Sequence, residues 1–380
     1  MVCQDLDGAK SLIGWTYKMK LSTEQLSAYD SVMKWMKTPG KRRFVLSGYA
    51  GTGKTTLAKY LADNSGVSVG FLAYTGKACQ VLREKGCHNC STIHSHLYTP
   101  TKEKDGTIHF TLKHHTEIAK YNLLIVDEYS MIPEELIVDI EESAIKVLYL
   151  GDDFQLTPIK GKNVFKKDIQ LIEVHRQALE SNIIRIATGI RNNVTPAYCK
   201  HDDFVYSPAS KMSFKDVFMP VDMRLCGKHT TRRKWIDRFR EERGYTKLLP
   251  SSGEDLLCIR NNKEQGLYNG MTVVCNDDVW SKATSQVKPT VVRVKLDGRD
   301  NIPVWTGEFL GFDHKSQKFP IKYSTGIFDY AYAMTVHKSQ GSEWDSILVY
   351  NDPIGDSPEK CRKWLYTAVT RARKRVYLID

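Results

Sequence analysis

The segment Gly48-Tyr49-Ala50-Gly51-Thr52-Gly53-Lys54-Thr55 fits the pattern G-x-x-x-x-G-K-[ST]. It falls between an apolar β-type run, Phe44-Val45-Leu46, and a helical stretch that begins at Thr55, which is the context a phosphate-binding P-loop requires. The glycines let the N–H groups of residues 48–56, Ala50, Thr52 and Thr56 among them, turn toward phosphate oxygens. Lys54 supplies a cation at the β- and γ-phosphates, and the Thr55 hydroxyl is placed to ligate Mg²⁺. A strand must present this loop and a helix must start behind it, so the chain is expected to contain a parallel α/β sheet.

The rest of the pattern agrees. Helical stretches at Thr55 to Asp63 and Lys77 to Glu84 alternate with a strand at Val67 to Ala73. Further buried-strand candidates are Asn122 to Val126, Lys146 to Leu150, Ile169 to Glu173, Ser346 to Tyr350 and Arg375 to Ile379. Two departures interrupt the alternation. Between Tyr98 and Tyr121 the residues turn polar and β-prone around Asp105-Gly106, a dipeptide suited to a tight hairpin turn. From about Asn269 to Tyr323, short strands such as Met271 to Cys275, Val291 to Leu296 and Phe309 to Phe312 alternate with turn residues, the pattern of a small inserted β-barrel.

At 380 residues the chain has room for two domains. Hydrophobic residues at 41% and charged residues at 26% exclude a disordered, collagenous or coiled-coil chain. Lys and Arg outnumber Asp and Glu by 55 to 44, a net charge of +11, which favours a polyanionic partner over an acidic surface. The N-terminus lacks a basic start followed by an apolar core, and no apolar run reaches membrane-spanning length. A cytoplasmic protein with no membrane partner is expected. Nine cysteines without such a leader read as reduced thiols. The cluster Cys87, Cys90, His94 and His96 allows a zinc site, although its two histidines are closer together than finger spacing requires.

Leu123-Leu-Ile-Val-Asp127-Glu128 places two carboxylates directly after a buried strand. Beside a P-loop, Asp127 is expected to reach the Mg²⁺ and Glu128 to orient an attacking water. Ser22-Thr-Glu-Gln25 fits a helix capping box.

Four further motifs follow in order: Gly151-Asp-Asp-Phe-Gln155-Leu, Glu173-Val-His-Arg176-Gln, Thr335-Val-His337-Lys338-Ser-Gln340-Gly341-Ser-Glu343 and Tyr366-Thr-Ala-Val-Thr-Arg371-Ala-Arg373. They resemble motifs III to VI of superfamily 1 helicases, and the wording most resembles the RecD-like branch that includes the Dda-type helicases. The resemblance runs from about Ser22 to the C-terminus. It departs from the common pattern at Tyr49, Tyr74 and Thr157, where proline is frequent in relatives.

This resemblance implies two RecA-like lobes with ATP and Mg²⁺ in the cleft between them: an N-terminal extension at 1–21, a first lobe at 22–166 with the hairpin at 98–121, and a second lobe at 167–380 with an SH3-like barrel at about 269–323. It makes Arg176 and Arg371 arginine fingers, Gln155 a γ-phosphate sensor and Glu343 a ribose ligand. Gln340 and Gly341 line the cleft, and Gln25 either reads adenine or only caps its helix. Thr75-Gly76-Lys77 and Thr92, His94 and Ser95 are implied to hold single-stranded DNA, joined by Lys228-His229-Thr230 and by Thr335, His337 and Lys338. Phe110, after the hairpin turn, stacks on a base at the fork or packs against the lobe. His96 either joins the DNA loop or sits in the core. The basic run Arg232, Arg233, Lys234, Arg238, Arg240 and Arg243 reads as mostly a solvated helix face, with Trp235 in the core. The activity implied is that of an ATP-dependent, 5′→3′ single-stranded DNA translocase and helicase. It would act as a monomer on single strands and forked duplexes, alongside single-strand-binding, replication or recombination proteins. RNA as the track, or translocation with little unwinding, is the alternative.

Overall fold

A computed structural model describes residues 21–102, 108–143, 146–157, 165–174, 180–211, 221–277, 289–317, 321–322 and 324–380. Residues 1–20 of the expected N-terminal extension, the Asp105-Gly106 turn and Arg176 lie outside the described residues.

The first half alternates as the pattern predicts: α1 (Thr23–Met36), β1 (Arg43–Gly48), α2 (Lys54–Asn64), β2 (Val69–Ala73), α3 (Gly76–Glu84), β3 (Cys90–Thr92) and α4 (Ile93–Leu97). The hairpin β4 (Tyr98–Lys102) and β5 (Ile108–Leu112) follows, then α5 (His115–Ile118), β6 (Leu123–Val126), α6 (Glu134–Ser143), β7 (Val147–Gly151) and β8 (Ile169–Leu171). Six strands form one sheet in the order β3-β2-β6-β7-β1-β8, with every pairing parallel. Both faces are covered, so strands such as Leu123-Leu-Ile-Val are apolar throughout. Alternate residues supply the two cores: Phe44, Leu46, Leu123 and Ile125 face one, and Val45, Leu124 and Val126 the other. One boundary moves. Ile169–Leu171 pairs with Leu46–Gly48 of β1, so the first sheet runs past the expected limit at 166 and takes its edge strand from the stretch assigned to the second lobe.

The second half carries α7 (Asn182–Arg191), β9 (Cys199–Lys200), β10 (Phe204–Ser207), β11 (Met223–Cys226) and α8 (His229–Glu242). Next come β12 (Asp255–Cys258), β13 (Thr272–Val274), β14 (Val291–Leu296), β15 (Arg299–Trp305) and β16 (Gly326–Tyr330). The chain ends with β17 (Met334–Thr335), α9 (Val336–Ser339), β18 (Trp344–Tyr350), α10 (Pro358–Val369) and β19 (Ala372–Ile379). A second sheet has the order β17-β11-β18-β19-β10-β9 and is parallel except at β9.

The remaining five strands form a separate sheet, β13-β12-β16-β15-β14. Its edges meet at a bridge between Cys275 and Leu296, which closes the sheet on itself and removes exposed edges. This closed body starts at Asp255 and ends at Tyr330, wider than the expected 269–323, and Phe309 to Phe312 is a turn and not a strand. The basic helix α8 also departs from expectation. Ile236 and Phe239 sit in the core of the closed sheet, Arg240 is buried and Arg232 pairs with Asp329 at 2.5 Å, so much of the run is bound to this body and not solvated. Trp235 packs against the same core, as expected. No described helix is long and apolar enough to cross a membrane.

Candidate nucleotide cleft and nucleic-acid face

Parallel α/β sheets bind ligands beyond the carboxyl ends of their strands, and the singled-out residues collect there. The P-loop joins β1 to α2, with Gly51 at φ +80° and Gly53 at φ +73°, conformations that a side chain disfavours. The Lys54 ammonium folds back onto the loop and donates to Gly48 O at 2.6 Å and Tyr49 O at 3.0 Å. Gln25 is buried. It completes a capping box with Ser22, and its amide also donates to Thr52 O at 3.2 Å, so the same side chain caps α1 and steadies the P-loop.

Asp127 follows β6. Burial, reinforced by the neighbouring Glu128 carboxylate and opposed by Lys54, pushes its pKa up to about 6. Glu128 has φ +56°, an uncommon backbone state for a non-glycine residue and one that recurs at functional sites. Its carboxylate lies 3.9 Å from Arg371 Nη1. Gln155 stands between the two: with its amide turned to satisfy both neighbours, its nitrogen donates to Glu128 Oε2 at 3.1 Å and its oxygen accepts from Arg371 Nη2 at 3.0 Å. Arg371 is only 4% exposed and is braced by donation to Thr367 O at 3.2 Å and Ser342 O at 3.4 Å.

These groups line one cavity of about 330 Å³, together with Ala50, Gly53, Thr55, Thr56, Gly341 and Glu343. Gly341, at φ +73°, approaches the first lobe so closely that a Cβ there would lie 3.1 Å from Ala78 Cβ and 3.2 Å from Thr75 Oγ1. Glu343 pairs with Lys85 across the cleft at 3.3 Å. Gln340 donates to Leu156 O at 2.8 Å and so braces the Gln155 loop instead of lining the cavity. Hard oxygen donors, a buried carboxylate and a hydroxyl beside an ammonium and a phosphate cradle, fit Mg²⁺.

Residues not singled out from the sequence also meet here. The Tyr366 hydroxyl accepts from Ala50 N at 2.9 Å and donates to Asp152 Oδ2 at 2.6 Å. The Arg191 guanidinium lies over the Tyr49 ring, 3.6 Å from its centroid. Tyr366 stands inside a quoted motif, but only its arginines carried a charge signal. Arg191 is one basic residue among many.

A second group lines the same ends of the strands. Ala73 and Thr92 end β2 and β3 side by side, and Thr75 and Thr92 cap α3 and α4, accepting from Ala78 N at 3.1 Å and Ser95 N at 3.2 Å. Gly76 and Lys77 open α3. Burial lowers the His94 pKa, and its ring sits among Tyr74, Tyr98 and Phe110 at centroid distances of 6.0, 5.8 and 6.2 Å. Phe110 remains 58% exposed, an aromatic face open to solvent. His96 is buried against Tyr121, the core alternative.

In the second lobe, Cys226 pairs with Thr335, which brings Lys228, the N-cap of α8, and His229 and Thr230 in its first turn, expected as a loop, beside Thr335, His337 and Lys338. Asp352 holds that loop by accepting from Gly227 N at 2.5 Å and Lys228 N at 3.3 Å. The cysteines do not join the histidines. Cys87 and Cys90 are buried in the first core, and among the described residues the cluster with converging metal-type donors is instead Glu308, Asp313 and His314, where His314 bonds Glu308 directly.

Comparison with known proteins gives two family models, an AAA domain over residues 20–205 and a UvrD-like helicase C-terminal domain over residues 330–379. The chain is 28% identical over 389 residues to the ATP-dependent RecD2 DNA helicase of Deinococcus radiodurans, covering 94% of this chain and 48% of that protein. It is 30% identical over 190 residues to the ATP-dependent DNA helicase dda of Enterobacteria phage T4, covering 45% and 43%. The chain thus spans about half the length of these relatives. Among solved structures it shares its fold with Pif1 helicase at forked double-stranded DNA, at 19% identity, TM-score 0.56 and coverage of 95% and 92%. It shares it also with Bacteroides Pif1 in complex with ADP-AlF3 and ssDNA, at 21% identity, TM-score 0.54 and the same coverage.

Proposed function

From its similarity to superfamily 1 helicases of the RecD- and Dda-like kind, we propose that the chain is an ATP-driven motor that moves 5′→3′ along single-stranded DNA and opens forked duplexes. The observation that carries this reading is the line Glu128–Gln155–Arg371, in which a carboxylate of one lobe and a guanidinium of the other meet through one amide. Such a site is complete only when both lobes are present, so turnover is coupled to their relative position.

ATP enters with its phosphates at the P-loop N–H groups and draws Lys54 off the carbonyls of Gly48 and Tyr49. Thr55 and Asp127 would hold Mg²⁺, which would supply charge neutralisation to the phosphates. Glu128 orients a water for attack on the γ-phosphorus and takes its proton as the bond to ADP breaks. Arg371 stabilises the charge spread over the γ-oxygens, and Gln155 links that charge to the water's base. Closure and reopening of the lobes then shift grip between Thr75-Gly76-Lys77 with Thr92 and Ser95 on one side, and Lys228-His229-Thr230 with Thr335, His337 and Lys338 on the other. Phe110 and His94 offer faces for bases at the fork. The closed five-stranded body is taken as the SH3-like insertion beside the DNA path. The protein acts as a monomer within the cytoplasm, with accessory proteins of replication or recombination as its partners.

The test is steady-state ATPase activity without polynucleotide, with single-stranded DNA and with RNA of the same sequence, followed by unwinding of duplexes with a 5′ or a 3′ tail. DNA is expected to stimulate turnover, and 5′-tailed substrates to be opened. Arg371→Ala should lower kcat about 10³-fold with a much smaller change in ATP affinity. Stimulation by RNA alone transfers the activity to RNA, and a rate indifferent to both polymers overturns the motor reading.

A further inference from the structure

We propose that Arg191 and Tyr366 form a clasp by which the second lobe sets the shape of the P-loop, making lobe movement and formation of the phosphate cradle one coupled transition. The proposal deepens the motor reading above and rests on it for its consequence in turnover, though not for its geometry.

Tyr49 and Ala50 occupy the first turn of the P-loop, next to Gly48, whose carbonyl holds the Lys54 ammonium. Two elements of the second lobe grip this pair. Tyr366 on α10 accepts the Ala50 N–H and donates its own O–H to Asp152, a carboxylate that is 0% exposed and also accepts from Phe154 N at 2.9 Å. Arg191, at the end of α7, covers the Tyr49 ring, in the geometry of a cation–π contact. The helices α7 and α10 share one core, with Ala187 and Ile190 of the first beside Trp364 and Val369 of the second, so both grips belong to one rigid face.

The loop that bears Gln155 is held by the same face. Leu156 N donates to Thr367 Oγ1 at 3.0 Å and Leu156 O accepts from Gln340 at 2.8 Å, while the Leu156 side chain lies in the second-lobe core. Separating the lobes therefore breaks the bonds from Ala50 N and Leu156 N and the Tyr366–Asp152 bond together. Rearranging residues 48–56 around phosphates in turn alters the seat of α7 and α10. Arg191 and Tyr366 act through the P-loop backbone and are positioning residues.

Two measurements test the clasp. The first is amide hydrogen exchange over residues 48–56 in nucleotide-free protein. Arg191→Ala and Tyr366→Phe should each accelerate it about tenfold, although both residues lie in the other lobe, and should leave the strands of the second sheet at the wild-type rate. Wild-type exchange in both variants overturns the clasp. The second is ATPase kinetics. Each variant should lower the ratio of DNA-stimulated to unstimulated kcat about tenfold while the ATP KM stays within about twofold. Tyr49→Phe, which keeps the ring, should retain the ratio. Tyr49→Ala should match Arg191→Ala, and the double variant should be no worse than either single one. Additive losses, or a parallel fall of both rates, overturn the clasp. A wild-type protein that DNA does not stimulate overturns the motor reading instead, and the exchange experiment then still decides the clasp.

Discussion

Asp127 and Lys54 illustrate how single residues divide the work. Lys54 donates to two carbonyls of the loop that carries it. Asp127 accepts from the Glu128 N–H at 3.0 Å, and burial, reinforced by Glu128 and only partly opposed by Lys54, raises its pKa to about 6. A cation-binding role needs the ionised form, so binding and proton release are linked. The sign follows: above pH 6 the carboxylate is ready, and below it each unit of pH removes about nine-tenths of the ionised form. The KM for Mg·ATP is expected to stay flat above about pH 7 and to rise about tenfold per unit below pH 6, measured with the metal in excess. A KM that stays flat down to pH 5 would sink the assignment. At this scale the motifs picked out Lys54, Asp127, Glu128, Gln155 and Arg371, which line one cavity, but misplaced Gln340, which braces the Gln155 loop. The sequence was ambiguous at Gln25, where capping and loop contact draw on one amide, and silent on Arg191, whose partner lies 142 positions away in the chain (191 − 49).

Among the elements, α8 shows what pattern alone misjudges. Its arginines look solvated because a basic run on a short helix usually is. Arg240, however, makes two bonds to Glu254, at 2.7 and 3.0 Å, and one to Lys247 O at 2.8 Å, with Tyr330 beneath its guanidinium. Glu254 also accepts from Ser251 N and Tyr332. Removing one partner of such a buried pair strands the other, at a cost of about 3–5 kcal/mol. Arg240→Ala should lower the urea midpoint accordingly, and Lys234→Ala, on the exposed face, should change stability by less than about 0.5 kcal/mol. Equal midpoints for the two variants would contradict the buried role. The closed sheet was legible only in its middle. Asp255–Cys258 and Gly326–Tyr330 are short apolar runs without alternation, which periodicity cannot tell from helix or loop, whereas Val291–Leu296 is long enough to declare itself. At Phe309 the aromatic residue that suggested a strand is buried from a turn. The parallel sheets were easier to read, because strands covered on both faces are continuously apolar.

For the whole molecule, the net charge of +11 gains meaning under the proposed motor function, in which Lys77, Lys228 and Lys338, near strand ends of the two sheets, hold one DNA strand. Affinity for single-stranded DNA should fall with salt at about 0.7 in log–log slope for each phosphate held. Lys228→Ala should reduce that slope by about 0.7 without altering base preference, as read by fluorescence anisotropy across a salt series. An unchanged slope would remove Lys228 from the track.

The edge strand Ile169–Leu171 has a consequence for how the molecule is assembled. After it, every described strand belongs to the second sheet or the closed body, so the backbone passes from one lobe to the other between Leu171 and Asn182. Cut there, each piece would still own a complete parallel sheet. The ATP cleft is then, topologically, a heterodimer interface whose two subunits happen to be written in one gene, and the peptide tether acts as an effective concentration that keeps the pair together when the clasp lets go.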